Sequence, residues 1–233
     1  ADQACALEQQ HRRRGRQGAT LAAALRVNGV LTELDLRYND IGDEGAVVLG
    51  EALRVNGVLT TLDLSRNEIC GIDEDGDGEY DASGIVALAD ALKVNGVLTS
   101  LDVGFNSLTE EAALGIVRVE LQRNKLTSLG LARCGIGPTG AAEIAEYLSG
   151  SGVLKTLNLD GHELDLPKLR GTDPVESLDL SSKNLGPASA IVIASLIAGN
   201  GVLTDLHLGN NRIRAEGAAA IAEALRGNAV LTN

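Results

Sequence analysis

The sequence has no Trp, no Met and a single Phe, and aromatics make up only 2% of its residues. A core built on large rings is therefore excluded. The apolar fraction is nonetheless 44%, so the interior must be filled with Leu, Val, Ile and Ala. Such uniformity suits stacked copies of one unit. Cysteine is scarce: Cys5, Cys70 and Cys134 are widely spaced, odd in number and form no CxxC. That excludes a disulfide framework and points to an intracellular, reducing compartment, the cytoplasm first, with an organelle left open. No apolar run is long enough to span a membrane. Positive charge is also in short supply, with a net charge of −12, which argues against nucleic-acid or anionic-membrane binding over most of the surface. The exception, "HRRRGR" at 11–16, reads as part of a basic, solvated N-terminal tail over residues 1–18. Catalytic signatures are missing as well. His and Cys are few and scattered, and no GxSxG, HExxH or phosphate loop occurs. Neither an enzyme nor a small-molecule substrate is expected.

What the chain does have is repetition. "LRVNGVLTELDLRYNDI" at Leu25 returns at Leu53 and Leu92, and in degenerate form at Ile197. The unit is LxxLxLxxNxI. Its first residues are Leu31, Leu59, Leu98, Leu126, Leu154, Val175, Leu203 and Leu231. The steps between them are 28, 39, 28, 28, 21, 28 and 28 residues, the signature of a leucine-rich repeat. Alternation in Leu31–Leu36 predicts a short strand with Leu34 and Leu36 inward. Asn39, Asn67, Asn106 and Asn211 sit where the chain turns and can satisfy backbone groups of neighbouring turns. Ala46, Leu49, Ala52 and Leu53 fall at helical spacing. Asn56-Gly57 reads as a left-handed helix cap. Residues 19–233 thus form one repeat domain with a parallel sheet inside and helices outside. Its ends carry no polar cap, which suggests a fragment of a longer array or a covered end.

On this motif and spacing the chain resembles the ribonuclease-inhibitor-like class of leucine-rich repeat proteins. That class includes the repeat domains of NOD-like receptors and Ran GTPase-activating proteins. The resemblance implies an α/β, right-handed horseshoe with a concave parallel sheet. "CGIDEDGDGEY" and "LDLPKLRGTDPVESLDLSSKNLG" also resemble repeat proteins abundant in unicellular algae. A GTPase-activating role, the class's catalytic variant, is kept as an alternative, with no residues assigned to it.

Several repeats depart from the pattern. Cys134 and His162 take the turn position in two of them and read as a packing thiol and a structural histidine. In the sixth repeat Lys183 holds that position and Asn184 falls one residue late. The third repeat, "EEAALGIVRVELQRNKL", lacks the Asn-Gly stop and reads as a less regular helix. The short fifth repeat, 154–174, contains Pro167 and Pro174 and reads as an extended outer segment without a helix. The second repeat carries an eleven-residue acidic insert, 70–80. Asp73, Asp75, Asp77, Glu79 and Asp81 follow EF-hand calcium spacing, but Gly84 stands where the bidentate Glu is required. The preferred reading is a solvated acidic turn with Asp81 at a helix start. A calcium-responsive loop is the alternative.

Function should then lie on the strand face. Asp35, Asp63, Asp102, Asp179 and His207 form one outward column. Arg37 follows in the next, and Tyr38, Arg66, Phe105 and Arg133 in the one after. Nothing in the repeat demands aromatics there, and aromatics with arginines are the usual anchors of protein interfaces. The sequence reads as a non-catalytic protein-binding scaffold, a fragment or subunit of a larger assembly.

Overall fold

The computed structural model describes residues 19–72 and 76–232. The basic tail, Cys5, Asp73 and Asp75 lie outside the described residues. The chain divides after Leu126 into two compact units. In the first, helix α1 (residues 19–27) precedes β1 (Glu33–Asp35), α2 (Asp43–Leu53), β2 (Thr61–Asp63), α3 (Ser83–Val94), β3 (Ser100–Asp102) and α4 (Glu110–Arg123). The second holds β4 (Ser128–Gly130), α5 (Pro138–Gly150), β5 (Thr156–Asn158), β6 (Glu163–Asp165) and α6 (Leu166–Arg170). It continues with β7 (Ser177–Asp179), α7 (Pro187–Ile197), β8 (Asp205–His207) and α8 (Arg214–Gly227).

Strand pairing follows the repeat register. Leu34 lies opposite Leu62, and Leu62 opposite Leu101, all parallel. In the second unit Leu129 pairs with Leu157, and Leu178 with Leu206, again parallel. The aliphatic residues on either side of each outward residue point into the stack: Leu62, Leu64, Leu101, Val103, Leu129 and Leu131 are buried. Ala46, Leu49, Ala52 and Leu53 of α2 are buried too. Each repeat alone would leave these side chains in water, so apolar burial drives the stacking. The result is an α/β leucine-rich repeat solenoid. No helix among the described residues is long and apolar enough to cross a membrane.

Two asparagine ladders hold the backbone polar groups. The turn asparagines behave as the sequence suggests. Asn67 Oδ1 accepts from the Asn39 and Ile41 N–H groups at 3.1 and 2.9 Å, and its Nδ2 donates to Leu36 O at 2.8 Å. Asn106 and Asn211 repeat the pattern one step along each stack.

The second ladder replaces an expected helix cap. Asn56 and Gly57 are not left-handed; the equivalent Asn95 has extended backbone, φ −77 and ψ 118. The side chain performs the capping instead. Asn95 Oδ1 accepts from Val97 and Leu98 N–H at 3.0 and 2.8 Å, and its Nδ2 donates to Leu53 O at 2.7 Å. Asn56, Asn200 and Asn228 do the same.

The third repeat substitutes an ion pair for this asparagine. Its helix is a regular 14 residues and ends at Asn124, which is left-handed with φ 49. Buried Glu120 accepts from Lys125 and Leu126 N–H at 3.1 and 2.9 Å, as Asn Oδ1 does elsewhere. Arg123 donates to Asn95 O and Leu98 O, as Asn Nδ2 does, and pairs with Glu120 at 2.6 Å. In the fourth repeat Ser151 accepts from Val153 N–H, while Arg170 donates to Leu148 O, Ser151 O and Leu154 O.

The fifth repeat is not an extended outer segment. After β5 the chain reverses, and β6 pairs with β5 antiparallel, Leu157 opposite Leu164. A one-turn helix, α6, follows. Asp165 caps it by accepting from Lys168 N–H at 3.2 Å, and Gly171 ends it at φ 78. Pro167 stands in the first turn, where no intrahelical N–H is needed, so it starts this helix.

Candidate functional site

The outward Asp column is first explained by local structure. Asp35, Asp63, Asp102 and Asp179 each accept a hydrogen bond from the N–H two residues on, at 2.8 to 3.0 Å. Each carboxylate thus shapes the exit from its strand. Asp35 also grips Arg37 through both oxygens, and Arg37 lies 3.4 Å from Asp63. The Arg37 guanidinium holds the Asp35 carboxyl down at about 2. The pair in turn raises Arg37 above its ordinary value. Asp179 is lowered by the Ser181 N–H and hydroxyl, with a smaller contribution from His207, its partner in register.

The residues just past the strands are of another kind. Tyr38, Arg66, Phe105, Arg133, Ser182 and Asn210 all have left-handed backbone, φ 55 to 58, and Gly161 has φ 101. The fold demands this conformation in nearly every repeat. Gly and Asn adopt it readily, whereas a bulky side chain costs about 1 kcal/mol more. Tyr, Arg and Phe are therefore not chosen for backbone fit. In the first unit they interlock: the Arg66 guanidinium lies 4.0 Å from the Phe105 ring centroid and 5.1 Å from that of Tyr38. Among the described residues no carboxylate pairs with Arg66. Tyr38 is 69% exposed. The stack is a pre-ordered aromatic–cation–aromatic surface, each contact worth about 0.5–1 kcal/mol when exposed. Arg133 takes the same position in the second unit and is exposed.

The described ends of the acidic insert pair with each other. Ile72 and Gly78 bridge antiparallel, and Asp81 N–H donates to Cys70 O at 2.9 Å. Gly78 is required at its neck, because φ is 119 and an added Cβ would fall 2.1 Å from Gly71 O. Cys70 belongs to the core. Its thiol donates to Asn106 O at 2.8 Å, and burial pushes its pKa up, so it stays protonated. Tyr80 hydroxyl meets Thr109 Oγ1 at 3.0 Å. Asp81 accepts from Ser83 N–H at 2.7 Å, where α3 begins. Of the calcium-spaced residues, Asp77, Glu79 and Asp81 are described. Among the described residues no three His, Cys, Asp or Glu side chains converge.

His162 is half-buried, and burial with the Lys183 charge lowers its pKa, so the ring is neutral near pH 7. Cys134 is buried, its sulfur 3.6 Å from Ala132 O. Sequence reasoning missed Glu120, Arg123 and Arg170 as stand-ins for the second asparagine ladder. Their signal was the missing Asn itself: a repeat that drops a buried hydrogen-bonding group must replace it.

Comparison with known proteins agrees with the repeat reading. The family described as Leucine Rich repeat matches residues 27–50, 122–145 and 199–222. No curated protein matches. Among solved structures, leiomodin-1 actin-binding site 2 is similar with a TM-score of 0.50 and 28% identity, over 59% of this chain and 76% of that one. The tropomodulin C-terminal domain of Caenorhabditis elegans gives a TM-score of 0.44 and 14% identity, over 90% and 92%. The chain carries leucine-rich repeats, folded as an α/β solenoid.

Proposed function

We propose that this chain is a non-catalytic protein-binding module, and that Tyr38, Arg66 and Phe105 anchor its partner. The observation that carries this reading is the left-handed backbone position. Gly161 and Asn210 meet its demand at little cost, yet the first unit places three bulky side chains there and stacks them. A rigid aromatic–arginine cluster has the make-up of an interface hot spot. Asp35, Arg37 and Asp63 flank it as a charged rim. The 28-residue step with a helix in nearly every repeat supports the ribonuclease-inhibitor-like class. The likeness to leiomodin-1 actin-binding site 2 supports a protein partner and makes actin the first candidate.

The test is binding of purified actin, and of partners found by cross-linking, to the wild type and to Arg66→Asn and Phe105→Asn. Asn keeps the left-handed backbone, so folding is preserved. Each substitution is expected to weaken binding roughly tenfold or more, the size of a hot-spot residue. Unchanged affinity in both variants refutes the patch. Failure of actin alone removes actin, and a chain that cross-links to nothing removes the protein-binding reading.

A further inference from the structure

The shortened fifth repeat opens a cleft. In a full repeat the chain leaves its strand, crosses a short loop and enters an outer helix. Here it turns back after β5 as antiparallel β6, and its helix, α6, is only five residues long. Helix α5 packs against α7 instead. The Arg133–Ile136 loop of the fourth repeat and the Asn184–Pro187 loop of the sixth are left without a full rim loop between them. The space is an open cleft of about 440 Å³, floored by Leu159 and Asp160 and reached by Arg212 and Arg214 of the seventh repeat.

Its chemistry runs against the net charge of the chain. On a protein of net charge −12, three arginines, Arg133, Arg212 and Arg214, line one cleft. All three are exposed, and among the described residues none has a carboxylate within ion-pair distance. The cleft's own carboxylate, Asp160, is committed to the start of α7, accepting from Gly186 N–H at 2.8 Å and Ser189 N–H at 3.3 Å. Arg133 and Arg214 are both left-handed, φ 58 and 59, where Asn would sit with less strain. A lone carboxylate ligand needs one arginine fork. Three suit a group with three acceptor oxygens and nearly two negative charges.

We propose that this cleft binds a phosphoryl group, presented either on a phosphorylated side chain of a protein partner or as a free small phosphate. The cleft shares no residue with the Tyr38–Phe105 patch, so either reading can fail without the other. The test is NMR titration of the isotopically labelled chain at low salt. The probes are inorganic phosphate, a phosphoserine peptide and the same peptide unphosphorylated. Saturable shifts at the Gly135 and Asn184 amides are expected with both phosphate-bearing probes, and none with the plain peptide. Arg133→Asn and Arg212→Gln should each weaken binding roughly tenfold while leaving the Arg66 and Phe105 amides unmoved. Tighter binding of the phosphopeptide than of phosphate assigns the site to a protein partner; equal binding assigns it to a small phosphate. No saturation by either at millimolar concentration overturns the proposal, as does wild-type affinity in both variants.

Discussion

Asn95→Ala tests the physical basis of the stack. Asn95 is 4% exposed. It accepts from Val97 and Leu98 N–H at 3.0 and 2.8 Å and donates to Leu53 O and Asn56 O at 2.7 and 3.2 Å. Truncation leaves two N–H groups without their acceptor and takes a donor from two carbonyls. At about 1 kcal/mol net per hydrogen bond, with the weakest discounted, the loss is about 3 kcal/mol. Asn28→Ala is the matched control. It occupies the same motif position and accepts from Val30 and Leu31 N–H, but it is exposed, so water replaces the side chain. Its expected loss is under about 1 kcal/mol. Urea unfolding measures both, and amide hydrogen exchange at Leu98 localises the effect, because that N–H should lose its protection only in Asn95→Ala. Equal losses in the two variants would refute the argument that burial of this ladder, rather than its motif, sets its energetic weight.

Other substitutions test its variants. Glu120→Ala leaves Arg123 buried and unpaired and should cost about 3–5 kcal/mol in the same unfolding assay. Gly171→Ala forces a Cβ to 2.8 Å from Asn200 Oδ1 at φ 78; a loss of more than about 1 kcal/mol is expected, with faster exchange at Leu203, whose N–H Asn200 accepts. The Asp35 carboxyl should titrate near 2 by NMR and return toward its ordinary 3.8 in Arg37→Ala. Because the folded value is the lower one, the Asp35–Arg37 contribution is present above pH 3.8 and fades as pH falls through about 2.

Much of the fold was legible because the repeat writes the same local physics many times. Leu62, Leu101 and Leu157 occupy one motif position and are all buried in paired strands. Asn67 and Asn106 could be read as backbone-satisfying groups from their place at the turn. The fifth repeat was misread because Pro167 serves equally as a helix breaker and a helix starter, and only its place after Asp165 decides. The candidate binding patch was half legible. Tyr38 and Phe105 stood out as aromatics without a structural reason, but that Arg66 lies between their rings depends on a backbone angle no composition reveals.

The sequence by itself determined the solenoid, because periodic leucines have one common way to leave water: sideways, against their own copies. Only the tertiary structure decided which polar groups close that interior and where the surface opens. Glu120 with Arg123 replaces an asparagine, and a reversed strand turns a short repeat into an arginine-lined cleft. Arg123 reaches Asn95 O and Leu98 O of the neighbouring repeat, and the cleft is lined from several repeats; contacts across that separation leave no local periodicity to read.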